Sequence, residues 1–466
     1  MRVVLCLLIG GLVPGVTAAA NFDAPYQQQA RELFQRAIAF KTEIGQGQVP
    51  KLAAYLADQF RAAGFPEADI HILPLGETAS LVVRYRGKGT GGRPVTAIAH
   101  MDVVTAKPED WQRDPFTLVE EGGYFFGRGT LDVKCGVIAL TSAFLRLKAQ
   151  GYVPDRDLIL AFSGDEETAQ ATAVDLAQHH RQLVDAEFVL NSDAGGGELD
   201  ETDGHAVLYG IETSEKAYAS YELTIRNPGG HSSRPRADNA IYELAEDIDK
   251  VRQLQFPVMW TDETRAWFRV MAGQTVDPKL RAAMRRFADH PLDLKADRAL
   301  AAEPGLVGRT RTTCVPTLLR GGHADNALPQ SATVTINCRI FPGVDPATIQ
   351  AALQNRVGLK TEIRLTAPVF ASGPSPMRAD LLTAVKQVLH DLHRDVPIVP
   401  EQESGASDCV IFRSAGIPCY GTSQIFIKDS DDFSHGLNER VPVASFYQGL
   451  DFWYLLFKSL SSAGVQ

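Results

Sequence analysis

Residues 94–102 read PVTAIAHMD, a short run of apolar, strand-forming residues that ends in a histidine and an aspartate. Two later stretches have the same build, DLILAFSGDE at 157–166 and AEFVLNSD at 186–193. Apolar runs of this length indicate buried strands of a mostly parallel sheet. The segments 133–150 and 168–180 between them carry apolar residues at helical spacing. The alternation of strand and helix predicts an open α/β sheet with helices on both faces.

The middle of the chain has a different pattern. Ala217–Arg226 and Ala332–Phe341 alternate like strands of a sheet with one exposed face, and Asn239–Arg252 and Pro278–Asp289 are helical in pattern. This predicts an α+β domain inserted into the first one, with its edges near Glu212 and Ser372. The predicted division is therefore 21–212 and 373–466 for the catalytic domain and 213–372 for the insertion.

Composition restricts the kind of partner. The chain has 466 residues, more than one ordinary core holds, and 46 basic against 56 acidic residues give a net charge of −10. This charge repels phosphate groups, which argues against nucleic acid or an anionic membrane surface as the partner. A peptide or another small molecule fits better.

Residues 1–20 have the layout of a secretory signal peptide. Arg2 precedes an apolar run, and the segment ends in Ala18-Ala19-Ala20, which predicts cleavage after Ala20. No later stretch has the roughly 20 uninterrupted apolar residues of a membrane span. We therefore expect an exported protein, periplasmic or extracellular. The odd number of cysteines after the leader disfavours a disulfide framework, although Cys409 and Cys419 could pair locally, and the role of Cys135 stays open.

Three of the predicted strands end in groups that bind cations. His100 and Asp102 follow the first, Asp165-Glu166-Glu167 the second and Asp193 the third. Ligands in open α/β sheets gather at the carboxyl ends of the strands, so these side chains are expected to converge. Asp132, at the start of a helix, and His435, before the last helix, supply a fourth and a fifth position.

So many carboxylates around two imidazoles repel one another unless cations or protons neutralise them. Two histidines and three carboxylates suit two zinc ions that share one bridging carboxylate. Asp102 lies two residues beyond His100 on an extended segment, so it can accept the second imidazole N–H. The neighbouring side chains of Glu166 and Glu167 diverge, which leaves one for the metal and one to act as a general base.

These residues belong to five blocks with a specific order: AHMDVV (99–104), GRGTLD (127–132), GDEE (164–167), the strand ending at Asp193, and FSHG (433–436). In these blocks the sequence resembles the M20 family of metallopeptidases, over almost all of the mature chain. The family includes glutamate carboxypeptidase, aminoacylase and carnosine-type dipeptidases. The resemblance implies a zinc-exopeptidase-like fold with an inserted lid domain.

The resemblance also assigns roles. Asp132 bridges the two metals, His100 and Asp193 complete one site, Glu167 and His435 complete the other, Glu166 is the base and Asp102 orients His100. In the lid, GGHS (229–232) carries His231, which polarises the scissile carbonyl and often reaches across a dimer. The resemblance further implies that Asn326 and Arg339 clamp a substrate carboxylate, and that the loop SGASD (404–408) with Gly405 faces the substrate.

Three functions remain open at this point. The first is an exopeptidase that removes a C-terminal residue or splits a dipeptide, and the second is an N-acyl amino acid deacylase with the same site. The third is a binding protein that has lost hydrolysis, which the retention of Glu166 and of every ligand disfavours. The sequence does not choose between zinc and cobalt or manganese. A homodimer could form through the lid strands, unless extra helices between Glu243 and Pro304 cover that edge in a monomer.

Overall fold

A computed structural model describes residues 24–462. The predicted signal peptide, residues 1–20, lies outside the described residues. A ten-stranded sheet forms the centre of the molecule. Its strands run, in spatial order, Ile70–Leu75, Thr78–Tyr85, Leu158–Ser163, Val95–His100, Phe188–Asn191, Cys419–Gly421, Ala206–Glu215, Gly196–Leu199 and Phe426–Ile427, with Ile398–Glu403 paired to Ala206–Glu215.

The middle of this large sheet is parallel, as the sequence predicts. Val95–His100 lies between Leu158–Ser163 and Phe188–Asn191 and is parallel to both, so that His100 pairs with Ser163 and Ile98 with Asn191. The three carboxyl ends therefore meet at one edge of the sheet, where polar loops follow each strand. This edge carries the candidate site.

Helices cover both faces of the large sheet. One face packs against the large core that contains the helices Ala24–Ala39, Val49–Ala62, Lys134–Ala149, Ala379–Asp391 and Val443–Ser461. Lys134–Ala149 is buried around nearly its whole circumference, which agrees with its continuous apolar composition. The opposite face packs against Ala171–Gln178, Arg181–Val184 and Cys409–Ser414. The predicted α/β class is confirmed.

A second sheet of four strands has its own core, and we call this unit the lid. Its strands, in spatial order, are Thr313–Gly321, Ser331–Ile340, Ala217–Arg226 and Glu362–Leu365. The helices Ala240–Arg252 and Pro346–Val357 pack on one face, where alternate residues of the strands are buried. A two-stranded ribbon, Gly230–His231 with Ala327–Leu328, extends from the lid. The domain boundaries near residues 212 and 372 stay a prediction.

The monomer alternative expected the helices between the lid strands to cover the outer edge of the lid sheet, but three of them pack elsewhere. Asp262–Gln274, Pro278–Asp289 and Leu294–Ala301 form a cluster with Leu208 and Val399, which belong to the large sheet. The short segments Pro304–Val307 and Gly308–Thr310 lead from them back to the lid. The outer lid strand Thr313–Gly321 consequently keeps exposed side chains, with Leu318 60% and Leu319 68% accessible. The apolar face of these helices packs against the large sheet, and within residues 24–462 most side chains of Thr313–Gly321 are left exposed.

The remaining regular elements are short. A three-stranded sheet combines Val119–Glu121, Tyr124–Phe126 and Arg440–Pro442. Single 3-10 turns occur at Glu67–Asp69, Pro108–Asp110 and Asp429–Asp431. Within residues 24–462, no helix combines the length and the apolar character needed to cross a bilayer.

Two disulfides correct the expectation drawn from cysteine spacing. Cys409 is bonded to Cys419, the local pair considered above, and Cys314 is bonded to Cys338. Cys314 and Cys338 are directly opposite each other on neighbouring lid strands. Spacing along the chain does not reveal this partnership, because it depends on strand pairing and register. Cys135 is a free, buried thiol.

Candidate metal centre

Five side chains from separate parts of the chain meet at the carboxyl edge of the large sheet. His100 ends the strand Val95–His100. Asp193 follows the neighbouring strand Phe188–Asn191, and Glu167 follows the neighbour on the other side, Leu158–Ser163. Asp132 precedes the helix Lys134–Ala149, and His435 lies in the turn before the last helix with a left-handed φ of 62°. Each of these positions was predicted from the sequence as a metal ligand.

Asp132 lies between the two histidines. Its Oδ1 is 3.0 Å from Nε2 of His100, and its Oδ2 is 3.0 Å from Nε2 of His435. Each oxygen of one carboxylate thus has its own imidazole neighbour. This is the arrangement that a carboxylate shared by two cations requires.

One further carboxylate stands beside each histidine. Asp193 Oδ1 is 3.7 Å from His100 Nε2, and Glu167 Oε2 is 2.8 Å from His435 Nε2. Ligand atoms of His100, Glu166 and Asp193, and likewise of His100, Asp132 and Glu167, all lie within 4.8 Å of one another. A cation with ligands at about 2.0–2.2 Å fits between donors at these separations.

Without a bound cation, the carboxylates of the cluster repel one another. Burial and the neighbouring carboxylates raise the pKa of Glu167 and Asp193, although His435 and His100 counteract this. The hydrogen bonds with Asp132 and Glu167 raise the pKa of His435 to about 10. The carboxylates therefore hold protons on the imidazoles, where divalent cations would remove the conflict. The donor set, imidazole nitrogens and carboxylate oxygens, fits zinc and also cobalt or manganese.

Asp102 makes contacts that only partly match its predicted role. His100 donates its Nδ1–H to the main-chain carbonyl of Asp102 at 3.0 Å, while the nearest carboxylate oxygen of Asp102 is 3.4 Å away. The carboxylate of Asp102 accepts instead the backbone N–H groups of Glu166 and Glu167, at 3.1 and 3.0 Å. Asp102 thus holds the loop that presents both glutamates.

Glu166 is buried beside the cluster, with one partner for its own carboxylate. Gln170 Nε2 donates to Glu166 Oε1 at 3.2 Å. Burial raises the pKa of Glu166 well above its ordinary value; the charge of His100 lowers it, whereas Asp193, Asp408 and Glu167 raise it. A carboxyl group with a raised pKa can both take and give a proton near neutral pH.

Glu439 is a buried acidic residue that the sequence analysis did not single out. Its two oxygens accept the backbone N–H groups of Gly129, Leu131 and Asp132, at 2.8 to 3.1 Å, and Arg128 Nη1 donates to it at 2.6 Å. Arg128 also donates to the carbonyls of His435 and Gly436. This ion pair ties the Asp132 loop to the His435 turn. Its only signal in the sequence is that Glu439 closely follows the FSHG block.

The residues predicted to bind substrate fall into two groups. His231 and Asn326 lie together on the exposed ribbon, where the backbone N–H of Ser232 donates to the carbonyl of Asn326. Arg339 is at the other end of the strand Ser331–Ile340. Eight residues at about 3.3 Å each place it roughly 26 Å from the ribbon end of that strand. Within one chain, Asn326 and Arg339 therefore lie toward opposite ends of the strand Ser331–Ile340.

Gly405 lies in the loop between the strand Ile398–Glu403 and the helix Cys409–Ser414. The side chain of Glu403 accepts the backbone N–H groups of Ser404 and Gly405, at 2.7 and 3.3 Å. Two backbone donors of the loop that was expected to face the substrate are thus turned toward Glu403.

The model of peptidase family M20/M25/M40 matches residues 97–459, a span that includes every residue of the cluster. The chain belongs to this family. It is therefore a hydrolase with the fold of the M20 metallopeptidases, and the resemblance expressed by the five blocks is confirmed.

Similar proteins from the M20 family include both peptidases and an enzyme of N-acyl amino acids. The human N-fatty-acyl-amino acid synthase/hydrolase PM20D1 is 27% identical over 399 residues, which cover 82% of this chain and 77% of that protein. The M20 family metallo-carboxypeptidase Sso-CP2 from Sulfolobus solfataricus superposes with a TM-score of 0.71 at 18% identity, covering 93% and 99% of the two chains. YXEP from Bacillus subtilis, a dinuclear metal-binding M20 peptidase, superposes with a TM-score of 0.56 at 11% identity, covering 94% and 99%.

Proposed function

We propose that this M20 protein is an exported exopeptidase with two metal ions, which hydrolyses the amide bond next to a free carboxylate. The observation that carries the proposal is the position of Asp132 between His100 and His435, with one oxygen toward each. Asp193 and Glu167 complete the two halves.

Two divalent cations held by these residues would supply Lewis-acid polarisation of the scissile carbonyl and acidification of a water molecule. His100 and Asp193 would hold one of them, Glu167 and His435 would hold the other, and Asp132 would contribute to both. Zinc suits the donors best, with cobalt and manganese as alternatives.

Glu166 acts as the general base and then as the acid. It takes a proton from the attacking water and donates it to the nitrogen of the leaving amine, which departs as the C–N bond breaks. Gln170 holds its Oε1, and the Asp102 carboxylate fixes the backbone N–H of Glu166. These contacts orient Glu166 before substrate arrives, so little reorganisation accompanies the proton transfer.

His231 and Asn326 are assigned to the active site of a second copy. Both are exposed on the ribbon, far from the Arg339 end of the lid sheet, and the outer lid strand Thr313–Gly321 offers an uncovered edge for pairing. A homodimer through the lids would let each ribbon reach its partner's metal centre.

Mixed dimers test this assignment. The variants His231→Ala and Glu166→Gln, each inactive alone, are co-expressed in equal amounts. If His231 acts on the partner, half of the dimers are mixed and half of their sites are intact, which restores about a quarter of the activity in a symmetric dimer. No restoration in mixed dimers would place His231 in its own chain's site or outside catalysis.

Export is proposed on two grounds. Residues 1–20 have the pattern of a signal peptide, and the two disulfides are of the kind that persists in oxidising compartments. Detection of the processed chain outside the cytoplasm, with an N-terminus at Asn21, tests this part directly.

A second candidate is an N-acyl amino acid deacylase, favoured by the similarity to PM20D1 over 82% of this chain. Both reactions cut an amide next to a carboxylate, so the acyl side of the substrate distinguishes them. A panel of dipeptides and N-acyl amino acids with matched C-terminal residues separates the two. Faster turnover of the dipeptides supports the exopeptidase, and faster turnover of the acyl series overturns it in favour of the deacylase.

A further inference from the structure

Two buried carboxylates face the guanidinium of Arg413 where the chain passes from the large sheet to the lid. Arg413 Nη2 donates to both oxygens of Glu212, at 2.6 and 2.7 Å, and Nη1 donates to Glu215 Oε1 at 3.2 Å. Glu215 is the last residue of the strand Ala206–Glu215, and the lid strand Ala217–Arg226 begins two residues later. Both glutamate side chains are completely buried. One cation therefore has two carboxylates to neutralise.

Glu215 is not needed to balance the charge of Arg413. Glu212 already does so with two short hydrogen bonds, and a further buried carboxylate costs free energy. Burial raises the pKa of Glu215 to about 8, and the charge of Glu212 adds to the rise, whereas Arg413 and the hydrogen bonds of Ser407 counteract it. The reason for a second carboxylate at this place lies on its other oxygen.

The second oxygen of Glu215 holds Ser407. Glu215 Oε2 accepts the backbone N–H and the hydroxyl of Ser407, at 2.8 and 2.9 Å. Ser407 belongs to the loop 404–408, which precedes the helix Cys409–Ser414. Since the hydroxyl hydrogen is donated to Glu215, the lone pairs of Ser407 Oγ are left to accept from other donors.

Those lone pairs connect the loop with a candidate metal ligand. Asn191 Nδ2 donates to Ser407 Oγ at 3.1 Å, and Asn191 Oδ1 accepts the backbone N–H of Asp193 at 3.1 Å. Asn191 is 1% exposed and ends the strand Phe188–Asn191. Because Ser407 holds the amide nitrogen, the amide oxygen is directed at Asp193. A continuous series of hydrogen bonds therefore joins Glu215 to Asp193.

The other half of the candidate metal centre has a different support. Arg128 donates to the carbonyl of His435, on the side of the site opposite to Asp193. The series that begins at Glu215 should therefore act on only one of the two cations, the one that His100 and Asp193 would hold.

We propose that Glu215 is a positioning residue for Asp193, acting through Ser407 and Asn191. The inference rests on the proposed function, because it assumes two cations, and it adds to that function a residue that is not itself a ligand. Outer contacts of this kind set the affinity of metal sites. Since the chain leaves the large sheet for the lid at Glu215, one carboxylate holds both the connection to the lid and one half of the metal centre.

Three variants separate this role from the general effect of removing a buried charge. Glu215→Gln turns an amide N–H₂ toward either Arg413 or the backbone N–H of Ser407, which can only donate, so the side chain cannot keep both contacts. Ser407→Ala removes the hydroxyl and leaves both carboxylates on Arg413. The control is Glu401→Gln, which breaks the largely buried pair with Arg309.

Calorimetric titration with zinc, in competition with a chelator, measures the affinity of each site in chains stripped of metal. The wild type should bind two zinc ions. In Glu215→Gln and Ser407→Ala, one affinity should fall about 10- to 100-fold, the range for lost outer contacts, and the other should stay within about twofold. Glu401→Gln should lower the free energy of unfolding without changing either affinity.

Two backgrounds show which of the sites is affected. Asp193→Ala leaves the site at Glu167 and His435, and Glu215→Gln should not weaken zinc binding there. Glu167→Ala leaves the site at His100 and Asp193, where Glu215→Gln should lower the affinity by the same factor as in the chain with both sites.

The outcomes keep the role of Glu215 apart from the proposed reaction. Equal weakening of both zinc sites, or unchanged affinities in both Glu215→Gln and Ser407→Ala, would overturn the role and leave the exopeptidase standing. A selective loss of one zinc ion, with no hydrolysis of any substrate by the wild type, would support the role and reject the exopeptidase. A wild type that binds fewer than two zinc ions would overturn both. Should Glu215→Gln fail to fold, Ser407→Ala carries every comparison, since it leaves the ion pairs in place.

Discussion

Glu439 accepts the backbone N–H of Asp132 at 3.0 Å, across 307 residues of sequence. The same carboxylate pairs with Arg128, and both side chains are almost completely buried. A residue that binds no metal in this account thus sets the position of the carboxylate at the centre of the site. Outer contacts of this kind orient ligands in metal sites generally.

Replacing Glu439 should weaken both the fold and the metal site. Glu439→Gln leaves the Arg128 guanidinium buried without its counter-ion, which costs about 3–5 kcal/mol in the free energy of unfolding. The Asp132 loop also loses acceptors, so metal affinity should fall about 10- to 100-fold. Glu121→Gln is the matched control, because it breaks the more exposed pair with Arg113 and should cost at most about 1 kcal/mol. Denaturant unfolding and metal titration measure both effects, and equal behaviour of the two variants would contradict the role of Glu439.

Replacing Glu166 should abolish turnover without emptying the site. Glu166→Gln keeps the shape of the side chain but cannot accept a proton, so kcat should fall by roughly 10²- to 10⁴-fold. Its metal content should equal that of the wild type, since Glu166 is not assigned as a ligand. Glu109→Gln, an exposed exchange of the same kind, should change neither quantity. Near-normal kcat with metal bound would remove Glu166 from the mechanism.

Glu198 should make stability depend on pH. Burial and the nearby Glu401 raise the pKa of Glu198 from 4.5 to about 7, although Arg309 lowers it. The folded protein therefore holds this proton more tightly, and the resulting stability is complete below pH 4.5 and lost as pH rises through 7. Glu198→Gln cannot ionise, so its stability relative to the wild type should rise across this interval and level off above it. Unfolding free energies of both proteins at several pH values check this, and a constant difference would contradict it.

The lid disulfide should stabilise the folded chain. Cys314 and Cys338 close a loop with a sequence separation of 24, and the loss of such a crosslink costs about 2–4 kcal/mol. The double variant Cys314→Ala/Cys338→Ala should therefore unfold at lower denaturant concentration. Reductant should lower the stability of the wild type by more than that of the variant, which has only the Cys409–Cys419 bond left to lose. An equal response to reductant would indicate that the lid pair is not bonded in solution.

The sequence predicts which side chains meet at the candidate metal centre, because most of them directly follow strands. His100, Glu167 and Asp193 each come after an apolar run, and parallel strands bring their carboxyl ends to one edge. The order of the five sequence blocks identified Asp132 and His435 as well, although neither residue directly follows a strand. The same reasoning recovered the α/β fold and the long buried helix after Asp132.

The contacts that the sequence did not reveal depend on distant parts of the chain. The Glu439–Arg128 pair and the Cys314–Cys338 bond both require strand pairing or loop positions that no local pattern specifies. The sequence did indicate the separation of Asn326 from Arg339, because the ten-residue strand Ser331–Ile340 begins after Asn326 and contains Arg339 near its far end. The length of the strand that separates two residues is therefore better evidence on whether they can act together than the chemical type of their side chains.

Anomalous diffraction at the absorption edge of the bound metal, from crystals of the purified mature chain, tests the central claim most directly. The account predicts two peaks, one beside each oxygen of Asp132 at about 2.0–2.2 Å, with His100 and Asp193 on one and Glu167 and His435 on the other. Removal of the metals with a chelator should abolish hydrolysis, and their return should restore it. A single peak, or two peaks that Asp132 does not share, in a fully active preparation would contradict the claim.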